Sequence, residues 1–167
     1  MRTKKLTALA MLAALSLVIF IIEAQIPPIV PVPGIKLGLA NVVTLVTISM
    51  FGRKEAFCVL ALRITLGAVF TGQMMSLIYS ASGGLLCFIA MALLFGVFKD
   101  ERLWVTSVFG AVAHNTGQLL TAYAVTRVAA VFWYAPMLMI SAIVTGAFTG
   151  VLAMLILKNK YIRGYTK

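Results

Sequence analysis

Long apolar stretches separated by short polar or charged segments run through the whole chain. A membrane-spanning helix needs about 20 mostly apolar residues, and six stretches reach or approach that length. The predicted helices cover about residues 6–24, 37–51, 56–70, 76–98, 103–125 and 136–157. The second and third are short for a full span. We therefore predict an all-α membrane protein in which residues 1–167 form a single six-helix transmembrane domain.

The overall composition agrees with this pattern. Hydrophobic residues make up 62% of the chain and charged residues only 11%, whereas soluble domains carry about 25% charged residues. A net charge of +10 would suit a nucleic-acid partner, but the cytoplasmic loops of membrane proteins also carry an excess of Lys and Arg. The positions of the charges decide between these two interpretations.

The basic residues sort to opposite ends of the predicted helices. Arg63 lies inside the third helix, and Lys36 and Arg127 fall at one end. The remaining basic residues fall at the opposite end: Arg2, Lys4, Lys5, Arg53, Lys54, Lys99, Arg102, Lys158, Lys160, Arg163 and Lys167. By the positive-inside rule, this predicts a multi-pass protein of the cell membrane with cytoplasmic N- and C-termini. The predicted surroundings are a lipid bilayer, and no nucleic acid is expected as a partner.

Residue types that carry catalysis or bind metals are scarce. The chain has one aspartate, Asp100, and one histidine, His114, and its cysteines, Cys58 and Cys87, lie in apolar runs without zinc-site spacing. It has no GxxxxGK[ST] motif for ATP phosphates and no Ser-His-acid spacing for nucleophilic catalysis. The sequence therefore predicts no metal, no cofactor and no enzyme activity for this chain alone.

Polar side chains within the predicted helices are confined to mid-membrane and to the Lys36 end. A charged side chain at the centre of a spanning helix costs on the order of 3 kcal/mol, so each one is a candidate for function. The predicted substrate-binding residues are Glu23, Lys36, Asn41, Arg63, Tyr79, His114, Asn115 and Gln118. Lys36 and Arg63 would supply charge to an anionic or zwitterionic ligand, and the amides and His114 would orient it. Alternatively, Arg63 pairs with Glu23 only to hold two helices together, which would leave Lys36 without a partner.

Stripes of small residues mark two helices as sites of close approach. Small side chains let the backbones of membrane helices come together. Ala142, Gly146 and Gly150 form such a stripe on the last helix, which we interpret as packing within the bundle. Ala10 and Ala14 form another on the first helix. For these two, internal packing and contact with a partner protein are both open.

Four segments resemble a known membrane family. They read "VPVPGIKLGLANVVTL", "ALRITLGAVFTG", "YSASGGLLCFIAM" and "GAVAHNTGQLL", and they are similar to the proteins named heptaprenyl diphosphate synthase component I, also called Gx transporter proteins. The resemblance runs from about residue 31 to residue 150, and the GIKLGLAN and AHNxGQ blocks are its specific parts. The six-helix topology with an AxxxA stripe also resembles the substrate-binding S component of energy-coupling factor transporters.

The two resemblances imply different functions. An S-component-like bundle would capture a small anionic or amphiphilic substrate from the outer side. It would transport that substrate with a coupling subunit and ATPases, and Ala10 and Ala14 would face the coupling subunit. The synthase name instead implies an accessory membrane subunit of an isoprenoid, quinone or flavin-linked redox system, with a membrane-anchored flavin protein as partner. Prenyl diphosphate synthases hold magnesium on DDxxD motifs, which this chain lacks, so no synthase activity is expected from it alone.

Overall fold

A computed structural model describes residues 2–26, 36–72, 74–98 and 102–159 of the chain. The proline-rich segment around Pro27 and Pro33, and the basic residues Lys99, Lys160 and Lys167, lie outside the described residues. The described ranges form six α-helices, and they contain no strand, which confirms the predicted all-α class. The helices are α1 (Arg2–Gln25), α2 (Asn41–Phe51), α3 (Arg53–Thr71), α4 (Met74–Phe98), α5 (Leu103–Thr126) and α6 (Ala135–Lys158), with a short 3-10 helix (Ala129–Tyr134) before α6.

Within the described ranges, three stretches are long and apolar enough to cross a membrane: Thr3–Gln25, Met74–Phe98 and Ala129–Lys158. Large apolar side chains such as Val69 and Ile140 point outward from the bundle, with 76% and 65% of their surface exposed. An apolar outer surface of this kind suits contact with lipid rather than water. The fold is therefore that of a membrane protein.

The short helix α2 occupies the centre of the bundle. Its first eight residues, Asn41–Ile48, are all buried, and it packs against α1, α3, α4, α5 and α6. At about 1.5 Å per residue, its 11 residues extend only about 16 Å. One end of α2 therefore begins partway through the bundle, where its first turn meets polar side chains of other helices.

The predicted second helix began at residue 37, whereas α2 begins at Asn41. The difference comes from Gly38, whose backbone φ is +79°, a left-handed conformation that an α-helix does not contain. Residues 36–38 therefore enter the bundle as irregular chain, and the backbone N–H of Asn41 bonds back to the Gly38 carbonyl at 3.0 Å. The later start places Asn41 in the first turn of the helix.

Glycines on α4, α5 and α6 allow these helices to pack closely. A side chain on Gly117 would lie 2.9 Å from the Cα atom of Gly83, and one on Gly146 would lie 2.7 Å from that of Val108. Gly150 faces the backbone of Trp104 in the same way. The last-helix stripe therefore packs inside the bundle, as expected, whereas Ala10 and Ala14 on α1 are exposed.

Contacts between helix ends define one basic end of the bundle. The Lys5 ammonium lies 2.5 Å from the Glu55 carboxylate, which joins the start of α1 to the start of α3. The Arg53 guanidinium lies beside Gly96 near the end of α4. We call this the basic end; the basic residues there whose side chains are described are Lys4, Lys5, Arg53, Lys54, Arg102 and Lys158. Lys36 and Arg127, which ends α5, lie toward the opposite end.

Candidate functional site

A small polar cavity lies where the segment Lys36–Ala40 passes between α1, α3, α4 and α5. Its volume is about 10 Å³, which is enough for about one water molecule. The cavity is lined by Phe20, Glu23, Lys36, Gly38, Ala40, Asn41, Arg63, Ser80 and His114. Of the eight residues that the sequence predicts for the site, five line it: Glu23, Lys36, Asn41, Arg63 and His114.

Arg63 is the most deeply placed cation of the cavity. Only 2% of its surface is exposed, and its Nη2 donates a hydrogen bond of 3.1 Å to the Asn41 Oδ1. Its Nε and Nη1 are buried and have no hydrogen-bond partner in the described part of the chain. The ion pair with Glu23 that the sequence left open is not formed, since Lys5–Glu55 is the only ion pair among the described residues.

Glu23 instead holds the start of α2. Its carboxylate accepts a hydrogen bond from the backbone N–H of Gly38, and the N–H of Ala40 also interacts with it. A carboxylate at this position accepts hydrogen bonds from N–H groups that a helix start leaves unpaired. Its negative charge also interacts favourably with the positive end of the helix dipole. Glu23 therefore fixes the irregular segment ahead of α2, and its charge offsets one of the two cations nearby.

Gly38 closes the cavity from the side of that segment. A side chain here would lie 2.8 Å from the Asn41 Nδ2 and 3.0 Å from the His114 Cδ2. Both the positive φ and the close approach therefore require glycine at this position. Gly38 belongs to the GIKLGLAN block but was not among the predicted site residues; its place between Lys36 and the start of a helix was the available signal.

Lys36 lies over an aromatic ring of α1. Its Nζ is 3.6 Å from the centroid of the Phe20 ring, a cation–π contact, and it has no hydrogen-bond acceptor among the described residues. Removal of water from the ammonium lowers the pKa of Lys36 to about 8. Phe20 was not predicted, although it lies three residues before Glu23 and so shares a face of α1 with it. Ser80 was likewise not included in the predicted set.

The α5 side chains divide between the cavity and the packing of the bundle. The His114 ring lines the cavity against the backbone of Gly83, and neither ring nitrogen makes a well-formed hydrogen bond within the described ranges. The Oε1 atom of Gln118 accepts a hydrogen bond of 3.2 Å from the backbone N–H of Lys36. Asn115 points the other way and donates to the Leu138 carbonyl of α6 at 2.7 Å.

The predicted site residue Tyr79 lies apart from the cavity. Only 2% of its surface is exposed, and it packs with Leu119, Val131 and Leu138 in an apolar cluster. Of the predicted set, Tyr79 and Asn115 therefore lie away from the cavity, and Gln118 contacts only the backbone of Lys36 at its edge.

Hydrogen-bond donors outnumber free acceptors around the cavity. The oxygens of Asn41 and Gln118 already accept bonds, and Glu23 accepts from Gly38. Besides the two ring nitrogens of His114, the buried nitrogens without a partner among the described residues are all donors: Lys36 Nζ, Asn41 Nδ2, Arg63 Nε, Arg63 Nη1 and Gln118 Nε2. An ionised carboxylate or phosphate only accepts hydrogen bonds and pairs strongly with charged donors. The cavity is therefore chemically complementary to an anion rich in oxygen.

Comparison with known proteins identifies one family. No curated protein sequence and no solved structure matches the chain. The family model described as heptaprenyl diphosphate synthase component I matches residues 12–156, a range that includes every residue of the cavity. The chain belongs to the heptaprenyl diphosphate synthase component I family.

Proposed function

We propose that the protein binds a small, oxygen-rich anionic or amphiphilic substrate at the cavity around Lys36 and Arg63. The observation that carries this proposal is the set of buried nitrogen donors without partners among the described residues, three of them on the cations Lys36 and Arg63. Leaving such groups unpaired is costly, so a bundle with no ligand would be more stable with apolar side chains in their place. An anionic ligand would supply the missing acceptors and offset the excess positive charge.

Entry of such a ligand requires the cavity to open, because about 10 Å³ does not accommodate a metabolite. The Lys36–Ala40 segment is the part suited to move. It has no helical structure at residues 36–38, and contacts with Glu23, Phe20 and Gln118 hold it in place. A ligand that takes over the Lys36 ammonium would release its contact with Phe20.

The proposed orientation places the basic end in the cytoplasm and the Lys36 end outside the cell membrane, with all six helices within the bilayer. A single cysteine at Arg127 should then react with a membrane-impermeant thiol reagent in intact cells, and one at Lys54 only after permeabilisation. The background for both would be Cys58→Ser with Cys87→Ala, because Cys58 is itself exposed. Labelling at Lys54 from outside would reverse the orientation.

We further propose transport with a partner energising module, as in S components of energy-coupling factor transporters. The exposed positions of Ala10 and Ala14 support contact with a coupling subunit, which ATPases would drive. Ala10→Leu or Ala14→Leu should abolish co-purification of that subunit and leave the fold intact, since added bulk prevents close helix approach. Val69→Leu, at an exposed position of α3 outside this stripe, is the control. Misfolding of the alanine variants would instead indicate internal packing.

The test of the binding site starts with native mass spectrometry of gently extracted protein to identify a bound small molecule. Affinity for that molecule should then fall in Lys36→Ala and Arg63→Gln. Lys54→Ala and Arg53→Gln, which remove the same charges at the exposed basic end, should bind like the wild type. Equal affinity in all four variants would show that Lys36 and Arg63 do not bind the ligand and would contradict the proposed anion site.

A second candidate function follows from family membership. The family name describes one component of a synthase, which favours an accessory membrane subunit that presents a prenyl or quinone substrate to a catalytic partner, or serves a flavin-linked redox protein. A prenyl lipid or quinone in the mass spectrum, together with a co-purified enzyme, would favour this candidate. A water-soluble metabolite would favour transport.

A further inference from the structure

A second and larger space lies beside the polar cavity, on the outer surface of α6. It is an open groove of about 570 Å³, lined by Leu37, Met137, Ile140, Ser141, Val144 and Thr145. Its volume falls within the range of about 300–1,000 Å³ that is typical of sites for small organic ligands. The groove is almost entirely apolar, so it complements a hydrocarbon chain.

The groove and the polar cavity share one thin wall. Lys36 turns its side chain toward Phe20 of α1, whereas the next residue, Leu37, lines the groove against α6. Gly38 completes the wall without a side chain and borders the cavity. The irregular backbone of residues 36–38 is therefore what separates the unpaired donors from the apolar groove.

The position of the groove along α6 suits an amphiphile that lies parallel to the helices. Asn115 bonds to the Leu138 carbonyl, and Gly146 packs on Val108, so α6 runs antiparallel beside this part of α5. The groove consequently begins at the level of His114 and extends along α6 toward the basic end. A molecule with its polar head at Lys36 and Arg63 would direct an apolar chain along this line, into the interior of the bilayer.

We infer that the substrate is a single-chain amphiphile whose anionic head binds in the polar cavity and whose apolar chain lies in the groove beside Leu37 and Val144. This inference rests on the proposed anion site and adds the class of ligand to it. Charge complementarity selects the head, because Lys36 and Arg63 offer buried donors without partners among the described residues. The chain enters sideways from the bilayer, because the groove is open on the outer face of α6.

The test compares two photoreactive probes in phosphatidylcholine nanodiscs: a diazirine-bearing dodecyl phosphate and the dodecanol with the same chain. Peptide mapping should locate the phosphate probe on residues 137–145, whereas the alcohol should label all exposed helix faces evenly. Arg63→Gln should lower the groove labelling by the phosphate probe about tenfold, the effect of losing roughly one charge-assisted hydrogen bond. Arg53→Gln should leave that labelling unchanged.

Filling the groove provides an independent arm. Val144→Trp adds bulk at a side chain that is 63% exposed, so the core is undisturbed, and it should abolish groove labelling while inorganic phosphate still binds in calorimetry. Val151→Trp, at an exposed position of α6 beyond the groove, is the matched control and should label like the wild type.

The outcomes separate this inference from the anion site itself. If both probes label the helix faces evenly while inorganic phosphate binding depends on Arg63, the groove does not bind the chain but the cavity still binds an anion. Groove labelling that persists in Arg63→Gln indicates ordinary bilayer lipid and also overturns the inference. No dependence on Arg63 in either measurement overturns both proposals.

Discussion

The two halves of the bundle around α2 differ in the kind of buried group that lacks a partner among the described residues: a hydroxyl such as that of Thr106 toward the basic end, and charged or imidazole nitrogens toward the Lys36 end. Toward the basic end, Leu45, Met91 and Leu103 fill a closely packed apolar core, and the hydroxyls of Ser107 and Thr149 bond each other at 2.9 Å. Toward the Lys36 end, the buried space holds Arg63 and His114, with nitrogen atoms that have no partner in the described part of the chain. The packing of the basic half stabilises the fold, whereas the buried polar groups of the Lys36 half lower its stability.

This contrast separates function from folding within one small helical bundle. A buried cation is costly unless it is paired, and apolar replacement of buried ionic groups is often neutral or stabilising. The Lys36 end retains two cations near one carboxylate that is itself engaged with the backbone of Gly38. Substitutions in the two halves should therefore change different measured quantities, and the following variants test that separation.

The largest effect on stability is expected from Gly150→Leu in the basic half. Gly150 faces the backbone of Trp104 and the Ser107 side chain, so a larger residue would force α5 and α6 apart at a cost of about 3 kcal/mol or more. Equilibrium unfolding in mild detergent measures this cost. Ala10→Leu, on the exposed stripe, should leave the unfolding free energy near that of the wild type. A Gly150→Leu protein as stable as Ala10→Leu would show that the α5–α6 contact is not needed.

Arg63→Met should have the largest effect on ligand affinity. It removes two buried nitrogen donors without partners among the described residues, and the loss of two charge-assisted hydrogen bonds corresponds to about a 100-fold weaker affinity or more. Its unfolding free energy should be unchanged or higher, because a buried cation is replaced by an apolar side chain of similar length.

Leu45→Ala in the apolar half is the counterpart of Arg63→Met. Leu45 is fully buried, with 0% of its surface exposed, so truncation should cost about 2–5 kcal/mol of stability and leave the affinity of the folded protein unchanged. If Arg63→Met destabilises the protein as much as Leu45→Ala, Arg63 is a structural strut and the two halves are not distinct.

Gly38→Ala should produce an intermediate effect that combines strain with loss of binding. A residue other than glycine at φ +79° costs about 1–3 kcal/mol, and the new methyl group would also press on Asn41 and His114. Gly72→Ala is a control for the strain alone, because its φ is +65° and, apart from its chain neighbours, no atom of the described residues lies within 4 Å of the added group. Affinity should fall only in Gly38→Ala. Equal affinity in both variants would show that the wall at Gly38 does not shape the site.

The sequence predicted the six helices and the sorting of charges because both depend on local composition. Helix α4, for example, was predicted at 76–98 and lies at Met74–Phe98. The short α2 was predicted to begin too early, at residue 37, because its start follows from the left-handed φ of Gly38 and from the contact of that residue with Glu23. That contact joins two parts of the chain that no periodic pattern relates.

The site was predictable as a set of residue types but not as a set of contacts. Counting depth along the helices placed Arg63 and His114 near mid-membrane and Lys36 at the outer end of the same polar set. These residues stood out because an ionisable residue in an apolar helix is conspicuous. Depth alone could not identify the hydrogen-bond partner of Arg63, because Asn41 and Glu23 both lie at depths that its side chain can reach. Phe20 was missed because an aromatic residue in an apolar helix carries no such signal.

The smallest expected effect is the pH dependence that Lys36 confers. Burial lowers the pKa of Lys36 from an ordinary 10.5 to about 8, so its charge is lost near pH 8 in the folded protein and only near pH 10.5 in the unfolded chain. Between these values the unfolded chain binds more protons, and stability therefore rises with pH across that window. Affinity for an anion should move in the opposite direction and fall as the pH passes through about 8.

Sulfate is a suitable ligand for this measurement, because its own charge is constant over this range. Lys36→Arg should remove the pH step and retain binding, since a guanidinium stays protonated, whereas Lys36→Ala should bind more weakly at every pH. Opposite slopes of affinity and stability, present in the wild type and absent from both variants, would assign the charge to the ligand rather than to the fold. Parallel slopes, or a step that survives in Lys36→Arg, would mean that another group of the cavity titrates and that the ammonium of Lys36 serves mainly to hold the segment against Phe20.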